Sequence, residues 1–312
     1  MTVFLVRRLV AGVLTLFAVA TLTFFISRFA PGSPFSSERG LSAEARRNLE
    51  RKYHYDRPLV VQYLLTLRNY LKGELGESIP NRGRDVGEFV WPGFAVSVRL
   101  GLLAFALALV AGTTLGIVAS ARQNSWPDYV ASSAATLGIC VPNFLLGPLL
   151  VIVFAFGLGW FDPTGWPQSW TRWGELKKLI LPALTLSFVH VAYLSRLTRA
   201  GMLDVIHKDY IRTARAKGLG EGAVFLKHAL KNGITPALTY AGPMAAFLVT
   251  GSIVVEKVFA IPGLGTHFVT AATNRDTMLV MGAVLVYSSL SILITIVVDV
   301  LYGVLDPRVR VT

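Results

Sequence analysis

The stretch LGLLAFALALVAGTTLGIVAS, residues 100–120, decides the fold class, because it carries no charged side chain over its whole length. A helix needs about 20 mainly apolar residues to cross the hydrocarbon core of a bilayer. Uniform apolarity also argues against a transmembrane barrel strand, in which apolar and polar residues alternate. Five further runs of this kind lie at residues 9–29, 130–158, 179–197, 234–255 and 278–300. The sequence therefore predicts an all-α membrane protein with six transmembrane helices.

The composition agrees with this prediction. Of the 312 residues, 53% are hydrophobic and only 15% are charged, whereas typical soluble domains carry about 25% charged residues. A disordered chain, a fibrous protein and an ordinary soluble enzyme are therefore excluded. The formal net charge of +12 would indicate a nucleic-acid partner in a soluble protein. In a membrane protein this charge belongs at the helix ends and in the loops, so no nucleic-acid partner is predicted.

The positions of Lys and Arg predict the orientation. If both termini are cytoplasmic, the short inner connections hold more Lys and Arg than the short outer ones, as the positive-inside rule requires. The resulting organisation has an N-terminal end with the first helix (1–29) and an extracytoplasmic segment (30–95). A core of five helices (96–303) follows, which contains a cytoplasmic connection (200–232), and a cytoplasmic tail (304–312) ends the chain.

Prolines interrupt one of these predicted spans. Pro142 and Pro148 interrupt the run 130–158, and proline removes a backbone donor, so a kinked or tilted helix is expected there.

On the predicted outer side, Pro58 opens and Gly73 ends an amphipathic helix. This helix is equally compatible with a lid or docking surface and with a helix lying on the bilayer surface. The second outer loop holds tryptophans typical of an interfacial anchor rather than a sugar or peptide platform: Trp160, Trp166, Trp170 and Trp173.

The predicted membrane interior holds almost no ionisable groups. His190 is the only such residue well inside a run, and Asp299 lies near the inner end of the last one. A proton-coupled carrier is expected to have a relay of such groups at mid-depth, so His190 is interpreted as a hydrogen-bonded packing residue. The single cysteine, Cys140, excludes an internal disulfide and a cysteine metal cluster. No catalytic residue and no metal ligand is predicted, and an intramembrane enzyme has no support.

The connection between the fourth and fifth runs has the pattern of ordered structure. Asp209 is suited to cap a short helix that Gly218 ends, and a second helical stretch follows at residues 221–232. Tyr210, Ile211 and Ala214 form a small apolar patch, with Arg212, Arg215 and Lys217 around it. Spacing alone leaves two interpretations open: a stiff helix that transmits a push from a partner, or a polybasic segment held by anionic lipids.

The same connection carries a resemblance to a known family. YIRTARAKGL, residues 210–219, resembles the cytoplasmic signature of binding-protein-dependent ABC importer permeases of the peptide/nickel branch. The general signature begins Glu-Ala-Ala, whereas this chain has Arg212, Thr213 and Ala214 there. This departure and the long distance from Gly218 to Pro236 both resemble the peptide branch.

Other stretches resemble the same branch over essentially the whole chain. EKVFAIPGLG (256–265) with NRD (274–276) is similar to its outer loop between the last two spans, and DVLYGVLDPR (299–308) is similar to its C-terminal ending. Glu256 is interpreted as part of the structure of that loop. APGSPF (30–35) resembles the B-type transmembrane subunit of oligopeptide systems more than its dipeptide relatives.

The resemblance implies a type I ABC importer permease fold in the bacterial cytoplasmic (inner) membrane. It implies half of a heterodimeric pathway for oligopeptides, beside a C-type permease, two ABC ATPase subunits and an extracytoplasmic peptide-binding protein. ATP and Mg are expected on the ATPase subunits, with no cofactor on this chain. Dipeptide, nickel or glutathione transport within the branch remains the alternative, and the residues that bind substrate are not identified. The expected ATPase-coupling residues are Asp209, Tyr210, Arg212, Thr213, Ala214, Arg215, Lys217 and Gly218.

Overall fold

A computed structural model describes residues 2–30 and 42–305. Within these ranges the chain is helical and forms no β-strand; one isolated antiparallel bridge joins Glu77 and Asp85. The all-α prediction is confirmed. The motif at residues 30–35 lies almost wholly outside the described residues, as do the last residues of the C-terminal stretch 299–308 and most of the predicted tail 304–312.

Fifteen α-helices follow one another in the described residues, and two of them continue into π-helical turns. Their bounds are α1 Thr2–Phe29, α2 Ala43–Lys52, α3 Leu59–Leu71, α4 Gly87–Ala121, α5 Trp126–Cys140, α6 Asn143–Leu150 with a π-helical continuation Val151–Gly157, α7 Trp173–Leu176 with a 3₁₀ turn Lys177–Leu179, α8 Ile180–Ile206, α9 Asp209–Ala216, α10 Glu221–Ala223 with a π-helical continuation Val224–Ala229, α11 Leu230–Gly233, α12 Thr235–Val249, α13 Ile253–Val258, α14 Leu264–Thr273 and α15 Thr277–Leu305.

Four helical segments in the described part of the chain are long and apolar enough to cross a membrane. They are Phe4–Phe29, Gly87–Ala121, Trp173–Ile206 and Thr277–Val300. A fifth is counted if α5 and the helix that starts at Asn143 form one broken span. The chain bends by 111° between these two helices. The bend predicted in this run is confirmed, and it lies at Val141, whose backbone is extended (φ −88°, ψ 116°). The reason is Pro142, because proline drives the preceding residue out of helical conformation.

The run 234–255 differs from its prediction at its C-terminal end. It forms α12, but this helix ends at Val249, and Gly251 follows in a left-handed conformation with φ +83°. Its 15 residues span about 22 Å at the α-helical rise, which is less than the ~30 Å hydrocarbon core. The predicted uninterrupted helix to residue 255 is therefore wrong, and the last residues of the run belong to the separate helix α13.

The described chain divides into two compact units. The first consists mainly of Met1–Ser97 and Pro262–Ile296, and the second mainly of Val98–Ile261. The first unit contains α2 and α3, so the predicted segment 30–95 is folded where it is described. The helix predicted between Pro58 and Gly73 is confirmed as α3, and Gly73 follows it with φ +80°.

Helix α8 is the most buried helix of the second unit. Leu181, Leu186 and Leu194 are fully enclosed within the unit. Glycines of its neighbours allow close approach: a Cβ at Gly112 of α4 would lie 2.6 Å from the Cβ of Leu194, and one at Gly116 would lie closer still to α8. Small residues four apart are how membrane helices bring their backbones together. This packing fixes the end of α8, from which the α8–α12 connection extends.

Candidate functional site: the helix α9 and its supports

Helix α9 begins one residue earlier than predicted. The N-cap is Lys208, which has extended backbone angles (φ −74°, ψ 151°), and Asp209 is the first helical residue, with no side-chain cap hydrogen bond. The prediction that Asp209 caps this helix is wrong. Its carboxylate still lies in the first turn, where the helix dipole favours negative charge. A carboxylate oxygen of Asp209 lies 3.6 Å from Nη1 of Arg212, and both side chains are exposed.

The predicted apolar patch on α9 faces inward. Ile211 is fully buried and Ala214 nearly so, and both pack in one cluster with Met202 of α8 and with Val224 and Ala229 of the following helix. The patch is therefore not an exposed docking surface, because the connection folds back on itself and covers it. The third member, Tyr210, is 41% exposed. Its hydroxyl accepts a hydrogen bond from the amide of Asn232 at 3.0 Å.

The basic residues of α9 have different surroundings. Arg215 is exposed but paired within the connection, since Nε and Nη2 donate to the two carboxylate oxygens of Glu221 at 2.8 and 3.2 Å. Arg212 keeps 72% of its side chain exposed, and Lys217 is exposed as well. Thr213 donates its hydroxyl to the carbonyl of Asp209 at 3.0 Å. The outward surface is therefore formed by the first turn and the C-terminal end of α9.

Gly218 ends α9 as predicted. Its φ of +78° lies in the left-handed region, which glycine adopts without the steric cost that a Cβ would bring. In this conformation the amide of Gly218 donates to the carbonyl of Arg215 at 2.9 Å, and that of Leu219 donates to Ala214 at 3.4 Å. These bonds satisfy carbonyls at the end of the helix and turn the chain back towards α10.

An ion pair that the sequence pattern did not single out joins α5 and α8 close to this connection. Nε and Nη2 of Arg199 donate to Oδ1 and Oδ2 of Asp128 at 2.6 and 2.7 Å. Asp128 is 2% exposed and also accepts from the amide of Asn124 at 3.0 Å. The sequence offered one signal for this pair, since Asp128 lies just before one predicted span and Arg199 just after another. That these two residues meet depends on how the helices pack. The pair fixes the end of α8 that leads into α9.

Farther along α8, His190 is part of an aromatic cluster. Its Nδ1 lies 2.9 Å from the hydroxyl of Tyr240 on α12, and its ring is 5.4 Å from that of Phe247. The rings of Tyr193 and Tyr240 are in tilted contact, with centroids 5.6 Å apart. His190 is 8% exposed. This geometry agrees with the interpretation of a hydrogen-bonded packing residue.

The second unit also contains the residues of the loops predicted to lie on the outer side. Trp160, Trp170 and Trp173 expose much of their rings, as the interfacial interpretation expects, and Trp166 packs edge-on against Trp170 at 5.7 Å. Glu256 is fully buried in α13. Cys140 is exposed and forms no disulfide. Within residues 2–30 and 42–305, no group of three or more His, Cys, Asp or Glu is arranged to hold a metal ion.

A polar network in the first unit holds the segment before α4 to the start of α15. Asp276, which is 1% exposed, accepts from the hydroxyl of Ser78 at 2.6 Å and from the amide of Leu279 at 3.2 Å. Nearby, Nζ of Lys52 lies 2.6 Å from the carboxylate of Glu77 and lowers the pKa of that carboxyl, assisted by the amide of Gly83. In the sequence, Asp276 was noted only as the last residue of the NRD motif (274–276), and its role in this network was not predicted.

These features define a multi-pass helical membrane protein with a compact, folded connection between α8 and α12. The chain belongs to the family of binding-protein-dependent transport system inner membrane components, whose profile matches residues 112–311. It is 42% identical to the oligopeptide transport system permease protein OppB of Haemophilus influenzae, over 98% of this chain and 99% of that protein.

Two further relatives place the chain among peptide permeases. It is 41% identical to OppB of Escherichia coli, over 98% of this chain and 99% of the relative. It is 39% identical to the dipeptide transport system permease protein DppB of Bacillus subtilis, over 98% and 97% of the two chains. The resemblance stated from the sequence motifs is confirmed.

Proposed function

We propose that this chain is a transmembrane subunit of an ATP-driven ABC importer for oligopeptides. It forms half of a heterodimeric pathway with a C-type permease, and both of its termini are cytoplasmic. The support comes from the family match and from the oligopeptide permeases that align with nearly the whole chain. Two ABC ATPase subunits and an extracytoplasmic peptide-binding protein complete the assembly.

The observation that carries the proposal is the construction of α9. Its inner face, Ile211 and Ala214, is buried on α8 and on the helix that leads to α12, so α9 moves together with both of these helices. Its outer surface, Asp209 and Arg212, is exposed. A short helix that is fixed on one face and free on the other transmits a rigid-body displacement, which is what a coupling helix does.

In the proposed cycle, ATP and Mg bind to the ATPase subunits, and this chain makes and breaks no covalent bond. ATP binding closes the ATPase pair against α9, and the push reaches the membrane through α8 and α12. The pair of Arg199 with Asp128 ties α5 to this movement. Arg212 offers a planar fork of donors suited to carboxylates or carbonyls on the ATPase.

The coupling role is tested by reversing the exposed charge with Arg212→Glu. We expect weaker association with the ATPase subunits in a pull-down of the membrane complex, with unchanged docking of the peptide-binding protein. Arg46→Glu is the control, since Arg46 is also exposed on a short helix and paired with a carboxylate four residues away, but lies in the predicted extracytoplasmic segment. Loss of receptor docking alone in Arg212→Glu would contradict the proposed topology.

A dipeptide permease is the second candidate, and the 39% identity to the Bacillus subtilis protein favours it. The two are separated by reconstituting the chain with its genomic neighbours and measuring uptake of a labelled pentapeptide, a dipeptide and Ni²⁺. Pentapeptide uptake that requires ATP and the receptor is the expected result. Preference for the dipeptide or nickel would keep the architecture and refute the oligopeptide assignment. Uptake without the ATPases would refute the mechanism.

A further inference from the structure

The first unit contains a cavity that the proposed transport cycle does not use. It has a volume of about 180 Å³, whereas one water molecule needs only about 10–15 Å³ by the same measure. It is open on one side and is lined by the end of α1, the end of α2, one face of α3, the chain that follows α3 and Met278 of α15. Its lining includes Arg28, Lys52, Gln62, Asn69, Tyr70 and Glu77.

Three buried polar atoms that belong to the lining residues have no hydrogen-bond partner within residues 2–30 and 42–305. They are Nη1 of Arg28, the hydroxyl of Tyr70 and Oε1 of Gln62. Gln62 is 5% exposed, and its amide nitrogen is already engaged by the carbonyl of Arg57 at 2.7 Å. Buried polar groups in folded proteins are nearly always paired. Three such groups around one cavity indicate a ligand that pairs them.

The guanidinium of Arg28 is positioned by aromatic rings so that it can bind an oxyanion. Its central carbon lies 3.6 Å from the ring centroid of Tyr55 and 5.3 Å from that of Phe24. The hydroxyl of Tyr55 is fixed in turn at 3.0 Å from that of Thr277. With the guanidinium placed against this ring, Nη1 is the donor that is left for a ligand. A planar fork of this kind matches the oxygens of a phosphate.

The other charged groups of the cavity leave Arg28 as its available cation. Lys52 is neutralised by Glu77 at 2.6 Å, and Glu74 is exposed at the rim. Burial raises the pKa of Tyr70, so its hydroxyl stays neutral and can donate beside Arg28. Oε1 of Gln62 is an acceptor, which suits a hydroxyl or ammonium group attached to the phosphate. A phosphate with a donor substituent satisfies all three groups.

The position of the cavity indicates where such a phosphate comes from. Arg28 lies in the last turn of the membrane-spanning helix α1, at the level of lipid headgroups. Helix α3 turns its polar face to the cavity and exposes large apolar side chains on its other faces, as a helix lying in the bilayer interface does. These exposed residues are Leu59, Val60, Leu64 and Leu71.

We infer that this cavity binds the headgroup phosphate of a phospholipid, with Arg28 and Tyr70 as donors and Gln62 as acceptor. The lipid anchors the segment between α1 and α4 to the outer surface of the membrane. Its acyl chains extend past the apolar side of α3, while the headgroup is held inside the protein.

The experiment is lipid retention by the purified full-length chain. The protein is reconstituted in nanodiscs of phosphatidylglycerol and phosphatidylethanolamine, extracted into detergent and analysed by native mass spectrometry. The wild type is expected to keep one phospholipid. Arg28→Gln and Tyr70→Phe are expected to weaken retention about tenfold or more, and Arg46→Gln, an exposed arginine outside the cavity, is expected to behave like the wild type.

Two results would overturn the inference. Equal retention by the wild type and both cavity variants, with unchanged thermal unfolding, would exclude the site. Binding of inorganic phosphate to lipid-free protein in an Arg28-dependent manner, without lipid retention, would keep the phosphate chemistry and refute a lipid source. If Arg28→Gln does not fold, Tyr70→Phe decides, because it removes one hydroxyl and leaves the ring in place.

Discussion

Replacing Gly218 with valine tests whether the end of α9 must be left-handed. A Cβ at this position would meet no atom within 4 Å, so the substitution creates no clash with neighbouring residues. The entire effect comes from the backbone angle φ of +78°, which is strained for any L-residue and most of all for a β-branched one. The substitution therefore isolates the conformation of the turn from its packing.

The size of the effect follows from that strain. A non-glycine residue in the left-handed region costs roughly 1–2 kcal/mol, which shifts a local equilibrium by a factor of roughly 5–30. The bonds at risk are those from Gly218 to Arg215 and from Leu219 to Ala214. The buried contacts of Ile211 lie inside the connection and remain. We expect a folded, assembled complex in which α9 is wrongly terminated.

The assay is peptide-stimulated ATP hydrolysis by the reconstituted complex, with assembly checked by size-exclusion chromatography. Gly218→Val is expected to assemble and to lose the peptide stimulation. Gly222→Val is the matched control, because Gly222 also has open space around a Cβ but lies next to Glu221 in a helical turn that valine accepts. Normal transport by Gly218→Val, or equal losses in both variants, would refute the reasoning.

Three further predictions concern stability. Asp128→Asn should destabilise the folded chain by roughly 3 kcal/mol, since it breaks a largely buried ion pair; thermal unfolding in detergent measures this. The separate variant Gly116→Leu should also destabilise the folded chain, because a Cβ at this position would lie 2.5 Å from the Cβ of Thr198 on α8. The third prediction concerns pH, because the hydrogen bond from Lys52 lowers the pKa of the Glu77 carboxyl in the folded chain. The free energy of unfolding that this pair contributes is fully present above the ordinary carboxyl pKa of 4.5. It is lost as the pH falls through the lower pKa of the folded state.

The controls for these three follow from the same contacts. The double variant Asp128→Asn with Arg199→Gln should lose less than the sum of the single variants, and strict additivity would show that the two side chains do not interact. Gly116→Ala should be milder than Gly116→Leu. Limited proteolysis of the segment before α4 should become faster in acid for the wild type, and Glu77→Gln should remove that pH dependence.

The sequence predicted much of the fold because membrane helices depend on local composition. Long apolar runs must satisfy their backbone groups internally, so they become helices whatever surrounds them. The bend beside Pro142 and the end of α9 at Gly218 are equally local, since one residue imposes each of them. The early end of α12 at Val249 was not predicted, because apolarity continues past the left-handed Gly251.

The sequence by itself thus determined the fold class, the family and the position of α9, which all rest on patterns of adjacent residues. The tertiary structure alone decided which face of α9 is free, because Ile211 is buried by residues that fold back from the following helix. It also decided the pairing of Asp128 with Arg199 and the cavity around Arg28. Contacts between residues far apart in the chain depend on how the helices pack, so no pattern of adjacent residues predicts them.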